Sequence, residues 1–268
     1  MALPLSRATH LPIAREPALT RLRAALQCPL THPVFLGCLL FALVTSAYIF
    51  ASGKNTRAIA SDGWGYYLYL PAVFIYGDIH FGFLNDKPLP PPIAQYRLGD
   101  GSWQGLLSTE TGYRDKYAAG VAVLQLPFFL AAFVFAKLTS GSFTGFELPF
   151  QLANAVSAAA YFALACYLIY RTARMRFGQV PSLLSLGFMV LATNVIDYAT
   201  FDPSFSHVYG FCLVSGLVYL TVRRVEIKEA VPPSEFVLFG ILVGLAVMVR
   251  PTNVVVAPLY LLFVAHTK

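Results

Sequence analysis

The sequence predicts an all-α polytopic membrane protein, a helix bundle with a large first outer loop that carries membrane-associated helices of its own. Three observations predict it. Of 268 residues, 57% are hydrophobic and only 12% charged, with a mean hydropathy of +0.64, against roughly 25% charged residues in soluble domains. Apolar segments close to membrane-spanning length recur along the chain. Between the first and second of them lies a stretch of opposite character, residues 53–117. It holds six basic and six acidic residues, the cluster Pro88-Leu89-Pro90-Pro91-Pro92 and the Gly-rich piece Leu98–Gly105.

A spanning helix needs about 20 mainly apolar residues. The segments that approach this are roughly 34–52, 118–137, 149–170, 181–197, 205–222, 234–249 and 251–265. The first follows a tail, residues 1–33, that carries Arg7, Arg15, Arg21 and Arg23 among several prolines. The apolar stretch behind this tail is too long for a signal-peptide core, and no small-residue cleavage site is evident. The tail is therefore read as cytoplasmic and the first helix as uncleaved. The last two segments are short and meet at Arg250-Pro251, which reads as a broken pair. Cys28, Cys38, Cys166 and Cys212 form no C-x-x-C pair, and three lie in apolar segments. They read as small apolar fillers. Abundant Phe and Tyr suit interfacial belts, and no basic run accompanies a nucleic-acid motif. No internal repeat is evident. The chain ends at Lys268 soon after an apolar segment, which fits a fragment of a longer protein.

Charge sets the topology. Arg171, Arg174 and Arg176 lie in one short loop, and Arg223, Arg224 and Lys228 in another. Short basic loops belong in the cytoplasm, as does the tail. If every apolar segment crossed, the tail and these loops would fall on opposite sides. Segment 118–137 is the weakest span: it contains Gly120, Gln125 and Pro127 and is flanked by Arg114-Asp115-Lys116. Lying in the interface instead, it puts all three basic regions in the cytoplasm. Residues 53–147 then become one outer loop of roughly 95 residues with two membrane-associated helices, near 63–77 and 118–137. The alternative keeps the span and puts the tail outside.

Four polar groupings then fall near one outer face: Asp62 before its aromatic run; Glu110 to Tyr117, with Arg114, Asp115 and Lys116; Asp197 to Tyr209, with Asp202 and His207; and Arg250-Pro251-Thr252-Asn253. Polar groups at membrane depth are costly and face a cavity or one another. Each also has a plainer reading. Arg114 and Lys116 snorkel at a helix start. Asp202 caps a helix whose first turn holds Pro203. His207 packs between helices, Tyr113 and Tyr117 join an aromatic belt, and Asp62 is a solvated cap with rings beside it at the lipid headgroups. A carboxylate, several cations and a membrane boundary suit a lipid-phosphate donor, with cations stabilising the leaving group and the carboxylate deprotonating or positioning an acceptor hydroxyl.

The motifs SDGWGYYLYLPAVFIYGD, TGYRDKYAAGVAVLQLPFF, DPSFSHVYGF and GLAVMVRPTN, in this order, resemble the GT-C superfamily of integral-membrane glycosyltransferases. That group includes protein O-mannosyltransferases and the lipid A aminoarabinose transferase. The chain is most similar to bacterial members that act on polysaccharides or lipopolysaccharide, over nearly its whole length from about residue 34. The resemblance implies a GT-C-like bundle in a bacterial inner membrane and a place in cell-envelope assembly. It implies a polyprenyl-phosphate-linked sugar donor, a glycan, lipid or protein acceptor, and reaction at the periplasmic face. It also implies that Asp62 acts as base or positioning carboxylate and that Lys116 contacts the donor phosphate. Arg114 and Arg250 are the further phosphate-binding candidates. Asp115, Asp202, His207 and Tyr209 are candidates for the cavity wall or a second polar shell. Many relatives carry two adjacent acidic residues where this chain has Asp62-Gly63, so a second carboxylate would come from Asp115 or Asp202 or be absent. No cofactor is required by the pattern. Metal dependence varies across the superfamily, and Asp62 with His207 could share a divalent ion, although no ligand spacing demands one. The rival classes are a transporter or flippase for a lipid-linked anionic substrate and a non-catalytic assembly subunit.

Overall fold

The computed structural model describes residues 29–54, 57–86, 88–227 and 232–266. The Arg-bearing tail, Cys28 and Lys228 lie outside the described residues. Helices form along every apolar segment anticipated. The first, α1 (Pro33–Ala51), starts where His32 accepts the Val34 N–H on Nδ1 at 3.2 Å and Pro33 supplies a preset first turn. The loop region contributes α2 (Asp62–Pro71), which widens into a π turn over Ala72–Tyr76 and stops at left-handed Gly77. It also contributes a hairpin, β1 (Leu106–Thr109) against β2 (Gly112–Asp115). Then come α3 (Gly120–Thr139), α4 (Leu148–Arg174), α5 (Gln179–Ala192), α6 (Val195–Thr200), α7 (Ser206–Ile227) and α8 (Pro233–Val249). A 3₁₀ segment (Pro251–Val256) and α9 (Ala257–His266) follow. Among the described residues, four helices are long and apolar enough to cross a membrane: Pro33–Ala51, Gly120–Thr139, Leu148–Arg174 and Ser206–Glu226. The chain is an all-α polytopic integral membrane protein.

The segment expected as one helix over 181–197 is two. Thr193 takes an extended conformation, and its hydroxyl donates to the Met189 carbonyl at 2.7 Å, in place of the backbone donor that would continue the helix. The 14 residues of α5 rise only about 21 Å, short of the roughly 30 Å hydrocarbon layer. Helix α8 stops at Arg250, because Pro251 has no N–H to offer.

One end of the bundle gathers the start of α1, the loop after α4 and the loop after α7. The His32 ring lies 5.0 Å from Tyr167 and 5.5 Å from Tyr170, and Arg176 pairs with Glu226. Arg224 departs from its expected place as an open loop charge. It is buried in a two-pronged ion pair with Glu235, whose carboxylate also accepts the Tyr260 hydroxyl at 3.0 Å. Removing one member of such a pair leaves a buried charge unmatched, at about 3–5 kcal/mol.

The opposite end carries a folded cap with its own core, separate from that of the bundle. The aromatic run after Asp62 departs from the expected headgroup belt: several of its rings turn inward. Trp64 is stacked between Tyr96 and Trp103, each 5.5 Å away, and the buried Tyr67 donates its hydroxyl to the Gly145 carbonyl at 2.7 Å. The hairpin was not anticipated, since Leu-Leu-Ser-Thr and Gly-Tyr-Arg-Asp are short and lack a clear apolar alternation. Helix α3 runs outward from the bundle. Near its start, the Leu124 carbonyl accepts the Tyr161 hydroxyl from the middle of α4. Phe129 lies 5.4 Å from Phe150 at the beginning of α4. Phe133 meets Phe143, which precedes α4, at 5.5 Å. The helix therefore points away from the end that holds the basic loops, and leaves Leu130, Val134, Phe135 and Leu138 exposed.

Candidate functional site

Asp62 opens α2, directly after Ser61, whose φ of 48° is rare for a residue with a side chain. The Asp62 carboxylate accepts two hydrogen bonds on Oδ1, from the Tyr117 hydroxyl and from Gln104 Nε2, the latter at 3.1 Å. Gln104 Nε2 also reaches Ser61 Oγ at 3.2 Å. Tyr117 is buried among α2, the hairpin and the start of α3. Burial first, and then its bond to Asp62, push its phenol well above the usual range, so it stays a hydrogen-bond donor at neutral pH. Lys116 Nζ lies 4.7 Å from the centre of the same ring. Tyr117, expected as a belt residue, is thus the piece that joins carboxylate to cation. Gln104 is a second residue that sequence reasoning missed, and nothing in its Gly-rich surroundings signals it.

Small residues bring these elements together. A Cβ on Gly63 would stand 1.6 Å from Ser204 Oγ, and one on Gly65 would stand 2.2 Å from Tyr117 Cδ2. A Cβ on Gly120 would meet the Met248 carbonyl carbon at 2.3 Å, so the start of α3 rests directly on the last turn of α8. The glycine in place of a second acid at position 63 follows from this packing: the turn before α7 occupies the space that any side chain there would need.

His207 stacks on Tyr198 at 3.9 Å, and its Nδ1 lies 3.1 Å from Arg250 Nη1. Guanidinium only donates, so Nδ1 is the acceptor and the ring proton sits on Nε2. Asp62 is near enough to His207 to act on it electrostatically. Asp62, Tyr117 and Lys116 are thus linked by contact, and His207 with Arg250 forms a second pair beside them, the five drawn from α2, the residues just after β2, α7 and the α8 break. Among the described residues no group of three or more His, Cys, Asp or Glu side chains gathers as a metal site. His207 Nδ1 already faces a cation.

The other candidates lie around this cluster. Asp115 accepts the Tyr117 N–H on Oδ1 at 2.8 Å, while its Oδ2 is buried without a partner. Of the two possible second carboxylates, it is the one linked to Asp62 through Tyr117. Asp202 sits half-buried in the turn before α7, where burial and Asp197 raise its pKa. Arg114 is on the exposed side of β2, opposite Leu107, and no contact of its side chain with Asp62 is seen among the described residues. Tyr209 is fully buried below the cluster, where its hydroxyl accepts from Gln125 Nε2 at 2.9 Å and donates to the Pro203 carbonyl at 3.1 Å. It joins α3 to α7 as a packing strut and does not face the open site.

Burial lifts the Asp115 carboxyl to about 6. Between about pH 4, the ordinary Asp value, and about pH 6, the folded protein holds a proton that the unfolded chain has released. Stability therefore falls as pH rises through that window and is flat above it. Asp115→Asn should remove this slope, worth roughly 1–3 kcal/mol after solvent screening. Thermal unfolding measured from pH 4 to 7 checks it: an unchanged slope in the variant would assign the dependence to other groups.

Fold and site together define a polytopic membrane protein with a carboxylate–cation cluster built between its helix bundle and a folded polar cap. Residues 126–268 match the model of the dolichyl-phosphate-mannose-protein mannosyltransferase family, a GT-C type family, and the chain belongs to that family. Membership implies glycosyltransferase activity in general and a lipid-linked sugar donor in general. The match takes in Asp202, His207, Tyr209 and Arg250 and begins after Asp62, Arg114, Asp115 and Lys116. The search of curated proteins and the search of solved structures found no match.

Proposed function

We propose that the protein transfers a sugar from a polyprenyl-phosphate donor to a glycan, lipid or protein acceptor at the outer, periplasmic face of a bacterial inner membrane. The observation that carries this reading is the joining of Asp62 to Lys116 through one tyrosine, with the His207–Arg250 pair beside them. Asp62 takes the proton of the acceptor hydroxyl as that oxygen bonds to the anomeric carbon. The bond from that carbon to the phosphate oxygen breaks, and polyprenyl phosphate leaves with the electron pair. Lys116 and Arg250 meet the charge that develops on the leaving phosphate. Tyr117 and Gln104 hold the carboxylate in one orientation, and Arg114, further out, adds positive potential along the approach. The outward course of α3, with its exposed apolar face, supports a helix lying at the membrane surface and a cytoplasmic N-terminus. The His32 and Arg176 contacts, which gather the first helix and the basic loops at the far end, support the same orientation.

The test is transfer by the full chain in proteoliposomes supplied with labelled polyprenyl-phosphate sugars, mannose included. Turnover from one such donor is expected. Lys116→Ala should raise the KM for donor by about 10- to 100-fold, the worth of a charge-assisted hydrogen bond of roughly 1.5–3 kcal/mol. No transfer from any polyprenyl-phosphate sugar would sink the proposal, and an unchanged donor KM would remove Lys116 from the phosphate site.

A further inference from the structure

A cavity of about 280 Å³ opens in the cap beside Ser61, the residue before Asp62. Its walls include Arg57, Ser61, Trp64, Tyr96, Arg97 and Gln104. None of Lys116, His207 or Arg250 lines it, so it is distinct from the phosphate-facing cluster. Two walls touch both places. Ser61 immediately precedes the carboxylate, and Gln104 donates both to Ser61 Oγ and to Asp62 Oδ1. The cavity thus stops one side chain short of the carboxylate.

Its chemistry is selective. Two guanidinium groups line it and no carboxylate does. Each guanidinium is braced: Arg97 Nε donates to the Gly101 carbonyl at 2.8 Å, and the Arg57 guanidinium lies 5.7 Å from the centre of the Tyr96 ring. The rear wall is Trp64 and Tyr96, backed by Trp103 stacked on Trp64 within the cap's own core. Amide and hydroxyl groups complete the rim. Guanidinium forks fit planar or tetrahedral oxyanions, and the volume lies just below that of ordinary ligand pockets, roughly 300–1,000 Å³. That suits one sugar unit, not a long chain. A transfer reaction needs two substrate sites that meet at one group, and Gln104, which lines this cavity and donates to Asp62, sets the cavity next to the carboxylate of the cation cluster.

We infer that the cavity between Arg57 and Arg97 binds the acceptor and that the acceptor is an anionic saccharide, a uronic acid or a sugar phosphate. The word acceptor rests on the transferase reading; binding of an anionic sugar does not. The chain has two tryptophans, Trp64 in the cavity wall and Trp103 stacked on it, so intrinsic fluorescence reports on this place without turnover.

The experiment titrates the detergent-solubilised full chain with glucuronic acid, glucose 1-phosphate and glucose. A saturable fluorescence change with at least one of the two anionic sugars is expected, and the stronger of them names the anion. Glucose should give none up to about 10 mM, tenfold above a millimolar Kd. Arg97→Gln, an exposed position that leaves the core untouched, should weaken that binding tenfold or more, with Arg57→Gln as the second variant. Asp62→Asn should leave it intact. The inference is overturned if no anionic sugar changes the signal, if glucose binds as tightly, or if both arginine variants bind like wild type. Binding that persists in a chain with no transferase activity would sink the proposed reaction and keep the site; transfer with a silent cavity would do the reverse.

Discussion

Asp62→Asn is expected to lower the rate of sugar transfer by about 10²- to 10⁴-fold, the usual contribution of a positioned general base. The substitution is nearly isosteric. An amide oxygen in the place of Oδ1 still accepts from Tyr117 and Gln104, so the two bonds that fix the side chain survive. What disappears is the capacity to take a proton. The loss should therefore fall on kcat, with donor KM close to wild type and the protein still monodisperse in detergent. Single-turnover transfer with saturating donor is the measurement, because it separates the chemical step from release of polyprenyl phosphate. Wild-type turnover by the variant would exclude Asp62 as the base. A matching loss of folded protein would show that the carboxylate acts through the cap's structure instead.

Gly63→Ala is expected to be almost as damaging, for a different reason. The added methyl would stand 1.6 Å from Ser204 Oγ and 2.5 Å from Ser204 Cβ, so the start of α2 must retreat from the turn before α7. Overpacking of this kind costs about 1–3 kcal/mol or more, and a shift of about 1 Å at a reacting group can cost 10²-fold in rate. A drop in kcat of about 10²-fold is expected, with a lowered Tm. The double variant Gly63→Ala/Ser204→Gly deletes both offending atoms and leaves the Ser204 carbonyl carbon at 3.1 Å as the nearest neighbour, so it should recover most of the lost activity. If it does not, the alanine acts through something other than this contact. Gly63→Asp, which would restore the acidic pair of many relatives, should be inactive in this background.

Helices were legible in the sequence wherever burial in lipid or bundle demands an unbroken apolar run, and α1, α4, α7 and α8 begin and end within a few residues of the expected bounds. The charge asymmetry pointed to segment 118–137 as a helix lying in the interface, and the structure makes it a 20-residue apolar helix, Gly120–Thr139, long enough to cross a membrane. Asp62, Lys116, His207 and Arg250 stood out in the sequence as candidates because a charged or titratable group at a membrane boundary is costly, although Asp62, Lys116 and His207 each carried a plainer reading too. Less was legible where a residue's role depends on what lies across the fold. Tyr117 looks like any interfacial tyrosine until its hydroxyl is seen on Asp62, and Gln104 is an unremarked polar residue in a loop. Trp64 and Tyr67 carry the same composition signal whether they face headgroups or a protein core; a second core within the loop decides it. Arg224 reads as a loop charge because Glu235, 11 residues later, belongs to another helix. Gly63 looked like a missing acid, and only the position of Ser204 shows why nothing larger fits.

Main chain touches main chain where Gly120 rests on Met248 and Val249. Lys116 and Arg250 sit a few residues beyond that contact on its two sides, so the spacing of the backbone that carries them is set by main-chain packing. Under the proposed reaction they would act as the jaws of a gauge: a headgroup would be admitted or refused by its size, and widening the opening would require prising the cap from the bundle.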